Sequence, residues 1–365
     1  MRFKSLFLKL EKFIFYSNIF FALLLLCSYL SAVVSPQKFW PLAFLGLIYP
    51  ILLIINLVFC IYWAIRLKKY FFISAVSILA GFNILLNSIG FNISSNAGSV
   101  SSALRLKLMA YNVHNFLTLD TPRNFSSGEA ILKLIGQNQP DVVGFEEYYK
   151  SSFRFKFGDS LQKVLNTNQY YFEPFLKTDY DSTGLALFSK YPIIHRGVVG
   201  LSNEVRENQA IYIDIQYKSH TIRVYDFHLN SLKLNHDDYF LLSHGSAMNL
   251  AGFEKIFSKL KEAFVARGKQ VDIIRQHAAK CPYPYVFMGD FNDTPSSYAF
   301  NQLAIGMKNA FREKGTGIAK TFDGGFASFQ IDFILLSRQF HVLNYQIIHK
   351  TMSDHYPVCS DVEVN

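Results

Sequence analysis

Along the C-terminal two-thirds of the chain, polar residues recur at the ends of short apolar runs. Asn112 closes LMAYN, Glu146 and Glu147 close DVVGFEE, and His228 and Asn230 close YDFHLN. Asp290, Asn292 and Asp293 follow in MGDFND, Asp332 lies in QIDFIL, and Asp354 and His355 precede a last apolar run in SDHYPV. Carboxylates and amides are hard oxygen donors, the set that suits Mg²⁺ or Mn²⁺ when the ion must keep positions open for water and a phosphate oxygen. A histidine beside such carboxylates can accept or deliver a proton. Each residue alone also has an ordinary reading: Asp290 or Asp293 as a turn or N-cap residue ahead of Pro295, Asn112 as a turn closer, Glu146 and Glu147 as a solvated pair. Asp332 resists such a reading, because a carboxylate inside an apolar strand needs a cation or a histidine.

These residues reach one rim only if the runs that carry them lie side by side as strands. Strands are predicted at 106–113, 142–145, 184–188, 211–217, 221–228, 285–288, 331–336, 342–349 and 356–364. Helical spacing covers 128–138 and roughly 246–280, with a shorter helix after Pro295. Many strands with few, irregularly placed helices predict a mixed α/β chain of the α+β kind, layered as a sandwich. Neither a βαβ alternation nor a Gly-rich phosphate-cradling fingerprint is present, and no internal repeat is visible. Cys281 and Cys359 lack zinc-site spacing. An oxidising compartment would allow them to pair; they read as two separate buried thiols.

The first 90 residues have a different composition. They hold eight basic residues, one acidic residue (Glu11) and no Asp, so most of the chain's net charge of +9 lies there. The remaining 28 basic and 26 acidic residues nearly balance, which disfavours a long nucleic acid as substrate. Three apolar segments, about 13–34, 42–65 and 70–90, are each roughly the 20 residues that a bilayer-spanning helix needs. They lack the polar face of a soluble helix, and the first is too long for a signal-peptide core. Arg2, Lys4, Lys9 and Lys12 precede the first segment and Arg66, Lys68 and Lys69 separate the second from the third, while the loop between the first two carries only Lys38. The positive-inside rule then predicts a cytoplasmic N-terminus in an inner or plasma membrane, with everything after the third segment on the extracytoplasmic side, periplasmic in a Gram-negative cell. The expected organisation is a membrane anchor of three transmembrane helices over 1–91, a Ser/Asn/Gly-rich linker over 92–103 and a catalytic domain over 104–365.

In combination and in order, LMAYN, PDVVGFEE, GLALFSK, DFHLN, MGDFND, IDFIL and SDHYPV resemble the successive motifs of the endonuclease/exonuclease/phosphatase superfamily, the DNase I-like proteins. The resemblance covers about residues 104–365 and leaves the anchor outside. It implies a four-layered sandwich of two β-sheets flanked by helices, with the motifs at one sheet edge. It implies that Asn112 and Glu147 bind the metal, that Asp354 lies beside the metal or the water, and that Asp290 and Asn292 position the attacking water and the phosphate oxygens. Asp332 would orient His355, which contacts the scissile phosphate or acts as base, and His228 would help protonate the leaving group or bind phosphate.

Three positions depart from the family pattern. Glu146 stands where Gln is usual, adding a charge beside the metal ligand or facing away from it. Gln330 replaces an Arg or similar residue before the Ile-Asp pair, and Phe227 precedes His228 where a small polar residue is common. None of these removes a ligand. The expected activity is hydrolysis of a phosphate ester by a phosphodiesterase, nuclease or phosphatase that uses Mg²⁺ or Mn²⁺. Nucleic acid or nucleotide, phospholipid and soluble ester compete as substrates, so a sphingomyelinase-like phospholipid phosphodiesterase is one alternative. A non-catalytic binding module that keeps the fold is another. The partners expected are the substrate and the bilayer, the latter through residues 13–90; nothing in the sequence points to a protein partner. Tyr239–Leu242 could touch the bilayer or pack beneath a loop.

Overall fold

The computed structural model describes residues 2–92, 105–117, 127–151, 156–201, 208–232, 238, 250–324 and 328–364. The expected linker, apart from Asn92, and the Tyr239–Leu242 cluster lie outside these residues. At the N-terminus, α1 (Arg2–Tyr29) is followed by α2 (Pro36–Phe39), α3 (Pro41–Leu47), α4 (Tyr49–Ile65), α5 (Phe71–Ala80) and α6 (Phe82–Ser88). One helical stretch, Leu6–Ala32, is by itself long and apolar enough to cross a membrane. The other two expected spans are not single straight helices: α3 and α4 meet at 61° and α5 and α6 at 68°, and only as bent pairs do they pass the same test. The breaks have local causes. Pro50 stands in the first turn of α4, where its missing N–H and its ring prevent a continuous helix through Ile48, and Gly81 separates α5 from α6.

The helices turn an apolar surface outward, with Leu23, Ile54, Val58, Ile61 and Leu79 all exposed, and bury Asn18, Ser28, Asn56 and Ser74. Ser74 Oγ lies 2.6 Å from Asn18 Oδ1 and 3.0 Å from Asn56 Oδ1, while the amide of Asn56 donates to the Phe21 carbonyl at 3.0 Å. Polar residues therefore tie α1, α4 and α5 together.

After β1 (Ile89–Phe91), the second region runs β2 (Arg105–Asn112), α7 (Ser127–Asn138), β3 (Val142–Ser151), α8 (Phe157–Leu165), β4 (Gln169–Lys177), β5 (Asp181–Ser189), β6 (Ile193–Val199), β7 (Gln209–Tyr217), β8 (His220–His228), α9 (Leu250–Ala278), β9 (Tyr285–Asp290), α10 (Tyr298–Ala304), β10 (Lys308–Asn309), α11 (Ala310–Lys314), β11 (Thr316–Ile318), β12 (Phe322–Asp323), β13 (Ser328–Phe329), β14 (Asp332–Leu336), β15 (Phe340–Ile347) and β16 (Val358–Val364). Two six-stranded sheets form, ordered β15-β16-β2-β3-β5-β4 and β10-β14-β9-β8-β7-β6. Each contains one parallel pair, β2–β3 or β8–β9, among antiparallel neighbours. Leu108, Leu187, Ile213, Val224, Met288 and Ile334 belong to the core between the sheets. On the outer faces, Ile131 and Leu161 of α7 and α8 join Phe145 and Phe188 of the first sheet, and Val271 and Phe300 of α9 and α10 join Phe287 and Phe333 of the second. The layers are helix, sheet, sheet, helix, the expected sandwich.

The nine predicted strands are present with ends shifted by up to six residues, the largest shift being β3, which runs on to Ser151. Among the longer elements the sequence reading omits β4, β6 and α8, and it passes over the short β1, β10 to β13 and α11. Strands β4 and β6 are sheet edges, so neither face is deeply buried and the alternation is weak; β4 also carries Pro174 at a register shift. The nine residues of α8 give too few turns for a clear period. Cys281 is half-buried and Cys359 buried, and the two are unpaired.

The two regions pack together along a continuous seam. Ser31 Oγ donates to the Ser296 carbonyl at 2.6 Å and Ser296 Oγ donates to the Gly46 carbonyl at 2.8 Å. Any Cβ at Gly46 would fall 2.3 Å from Ser31 Oγ, so only glycine allows α3 this approach. Phe44 stacks on Phe257 of α9 at 4.3 Å and meets Phe264 edge-on at 5.2 Å. At the far end β1 pairs antiparallel with β11, Ile89 opposite Ile318.

Candidate active site

Pairing register gathers the candidate residues. His228 ends β8 directly beside Asp290, the last residue of β9, and Asp290 in turn faces Asp332, the first residue of β14. In the other sheet Asn112 ends β2 opposite Glu146 of β3. The C-terminal ends of β2, β8 and β9 thus meet at one rim together with the middle of β3, where its register shifts and side chains can leave the ladder. Two backbone features complete the aim. A register shift in β3 between Phe145 and Tyr148 accompanies a positive φ of 51° at Glu147, and Asn292 just past β9 also has φ of 51°. Gly289 has φ of 122° and lies where a Cβ would meet the Phe227 carbonyl at 2.4 Å, so β9 can approach β8 there only as glycine.

The rim forms one connected polar network. Asp290 Oδ1 accepts the Asn292 backbone N–H at 2.7 Å, and its Oδ2 accepts Asn292 Nδ2 at 3.1 Å and Asn112 Nδ2 at 3.2 Å. His355 Nδ1 lies 3.0 and 3.1 Å from the two oxygens of Asp332, while its Nε2 points to Asp290 Oδ2 at 3.7 Å. His228 Nε2 stands 3.6 Å from Asp290 and 3.9 Å from Glu147. Burial disfavours charge on His355, but Asp332, Asp290 and Asp354 outweigh it and hold the imidazole well above the ordinary histidine range. Burial also raises Asp290, and Asp332 adds to it, while His355 and His228 act the other way. The His355 imidazole thus faces the buried carboxyl of Asp290 at 3.7 Å, the distance of a loose ion pair.

The donor set suits a hard divalent cation. Glu147 is a quarter exposed at the rim, its Oε2 accepting Asn115 Nδ2 at 3.1 Å. Asp354 stands on the other side of His114, whose Nδ1 is 3.5 Å from Asp354 and 3.9 Å from Glu147. Asn112 turns its Nδ2, not its oxygen, toward Glu147 and Asp290, and its Oδ1 accepts the His114 N–H at 3.1 Å; ligation through Oδ1 requires the amide to rotate. Asp290, Asp332 and His355 also bring ligand atoms within 4.8 Å of one another. That trio is better satisfied as it stands, since an imidazolium already paired with Asp332 repels a cation.

The structure adds residues to the rim that the sequence reading passed over. His114 and Asn115 sit on a short 3₁₀ turn after β2 with φ of 44° and 54°; His two residues beyond a rim Asn was the available signal. Arg267 of α9, fully buried, donates through Nε to Asp293 at 2.9 Å and through Nη1 to the Asn230 carbonyl at 2.8 Å. Asp293 is therefore a structural partner. An arginine in the apolar run AFVARG was the hint. Glu146 turns away from the rim and is completely buried between the sheets. Burial, then Asp226 of β8, pushes it well above the carboxylate range, and burial also pushes Asp226 up, so the pair carries a proton and adds less charge than two carboxylates would.

A cavity of about 360 Å³ opens onto the rim and reaches past Asn112, Glu147, His228, Asp290 and His355 to an apolar side. Comparison with solved structures identifies the same architecture at low sequence identity. An endonuclease/exonuclease/phosphatase from Beutenbergia cavernae superposes with a TM-score of 0.54 at 18% identity, over 72% of each chain. A protein of that description from Bacteroides vulgatus gives 0.53 at 17%, over 72% of this chain and 99% of its own. The mannosyl-6-phosphatase of Bacteroides thetaiotaomicron gives 0.50 at 14%, over 70% and 99%. Comparison with curated proteins returns no match. The profile of a domain of unknown function matches residues 11–88. Residues 109–355 match the profile of the endonuclease/exonuclease/phosphatase family, and on that match, spanning two sheets and the whole rim, the chain belongs to this family of phosphoester hydrolases.

Proposed function

We propose that the chain is a Mg²⁺- or Mn²⁺-dependent hydrolase of phosphate esters, held at the extracytoplasmic face of a membrane by three N-terminal spans. The observation that carries the catalytic part is the convergence of Asn112, Glu147, His228, Asp290, Asn292, Asp332, Asp354 and His355 on one rim. Glu147 and Asp354, with Asn112 after rotation of its amide, would hold the ion, which supplies charge neutralisation at a phosphate oxygen. Asp290, fixed by Asn292, accepts a proton from the attacking water as its oxygen bonds to phosphorus. His355, kept cationic by Asp332, binds a non-bridging phosphate oxygen. His228 faces the same space and delivers a proton to the departing oxygen as the P–O bond breaks. Chelation of the full chain should abolish hydrolysis across a panel of phosphomonoesters and phosphodiesters, and either ion should restore it. Full activity in excess chelator would end this reading.

The membrane part rests on the outward apolar face of the helices, their internal Asn–Ser ties and the placement of basic residues at the ends of segments. Alkaline phosphatase fused at Ser95 or Asn365 should be active only when exported. A cytoplasmic signal at both positions would overturn the topology.

A further inference from the structure

The cavity at the rim is chemically two-sided, and its second side is unexplained by phosphate chemistry. Opposite Asp290 and His355 the lining is Leu47, Leu232, Ile256, Leu260 and Phe264. Leu47 is the last residue of α3, and so comes from the N-terminal helices; Ile256, Leu260 and Phe264 recur on one face of α9 at helical spacing. The aromatic seam of Phe44, Phe257 and Phe264 closes behind them, with Trp40 edge-on to Phe257 at 5.5 Å. Phe39, the last residue of α2, and Phe253, which stacks on Phe257, are more than half exposed. A tryptophan at the end of a span, as Trp40 is at the start of α3, belongs at the level of lipid headgroups.

The geometry points to a substrate that is an amphiphile: a phosphate ester whose other half is an apolar chain, lying against Leu47 and the α9 stripe while the phosphate meets the rim. This rests on the hydrolase reading above and specifies its substrate class. Three observations favour this occupant over a nucleotide or a sugar. The wall is continuous with the catalytic rim. Among the described residues its hydrogen-bonding side chains are Ser231, Arg267, Asp293 and Thr294, and most of these are engaged with the protein: two donors of Arg267 by Asp293 and Asn230, and the Thr294 hydroxyl by Ser296. One of its residues comes from the segment that packs the domain against the apolar helices, so the tail need not leave the bilayer to bring its phosphate into reach.

The test uses the full chain in detergent with two homologous series, 4-nitrophenyl alkyl phosphodiesters and alkyl phosphates, from methyl to dodecyl and below their micellar concentrations. Leaving-group chemistry is constant in the first series, so the length profile reads the wall. A buried methylene contributes enough for about a fourfold gain in kcat/KM per carbon, levelling off once the chain outgrows the cavity. Leu47→Gln and Leu260→Gln should each cut the dodecyl-to-methyl ratio about tenfold, whereas Phe253→Gln, on the exposed side of α9, should keep it. The profile of the unsubstituted chain decides the matter even where a variant folds poorly. A flat profile in both series with the methyl members turned over overturns the proposal and leaves the hydrolase reading standing, as does a short oligonucleotide cleaved more efficiently than the dodecyl ester. No turnover of any member with Mg²⁺ or Mn²⁺ overturns both.

Discussion

The N-terminal helices and the two-sheet domain differ most in what they turn outward. The helices bury Asn18, Asn56 and Ser74 beside a small apolar cluster that includes Leu25 and Leu52, and expose leucine, isoleucine and valine. In the domain, Leu108, Ile213 and Met288 are inside, and large apolar side chains such as Leu176 and Ile305 are exposed only singly. Each region also concentrates polar side chains at one interior place, and the two clusters differ in kind. Asn18, Asn56 and Ser74 are neutral, and apart from the bond of Asn56 to the Leu52 carbonyl in its own helix, their hydrogen bonds run between helical segments. Asp290, Asp332, His355 and His228 are titratable, held 3.0 to 3.7 Å apart with His228 Nδ1 left without a partner among the described groups. A neutral, satisfied cluster holds elements together; a charged and partly unsatisfied one is poised to act on something else.

The sharpest way to break this contrast is at the charged cluster. Asp290→Asn changes little volume but removes the proton acceptor, and kcat should fall about 10³-fold with the thermal transition of the domain nearly unmoved. Turnover close to that of the unsubstituted chain would place the chemistry elsewhere. Asp332→Asn acts at one remove, through His355, and should cost about tenfold. Its signature is in the pH profile. The reaction needs Asp290 deprotonated, giving an acid limb above the ordinary carboxylate range, and His355 protonated, giving an alkaline limb above the ordinary histidine range. Removing the charge of Asp332 lowers the pKa of His355, so the alkaline limb must move toward lower pH; a limb that stays put would show that Asp332 only packs. At the neutral cluster the effect should be smallest. Asn56→Leu removes its hydrogen bonds to Ser74 and Phe21 and should lower the stability of the helices in detergent by about 0.6–1.7 kcal/mol, read as a shift in their melting with hydrolysis of a soluble ester retained.

Much of the rim was legible because each residue follows an apolar run, and a strand that ends on a polar residue tends to present it at a sheet edge. The order of motifs supplied the rest. What stayed hidden depends on backbone or on distance. His114 reaches Glu147 and Asp354 only because the chain turns through positive φ after β2. Arg267 reaches Asp293 from a helix 26 residues upstream. The alternation that revealed the central strands fades at β4 and β6, where no neighbour covers the outer edge. Segment length alone gave the second and third apolar segments as straight helices, and a single proline or glycine sufficed to bend each.

The exchange of hydrogen bonds between Ser31, Ser296 and Gly46 has a kinetic consequence. With the helices bracketed to the domain instead of leashed to it, the cleft has one height and one tilt relative to the helical region. If that region is the membrane anchor, enzyme and amphiphile meet by lateral diffusion in a plane. Turnover would then follow the mole fraction of substrate in the surface, and inert lipid added to the same vesicles would slow the reaction without changing any bulk concentration.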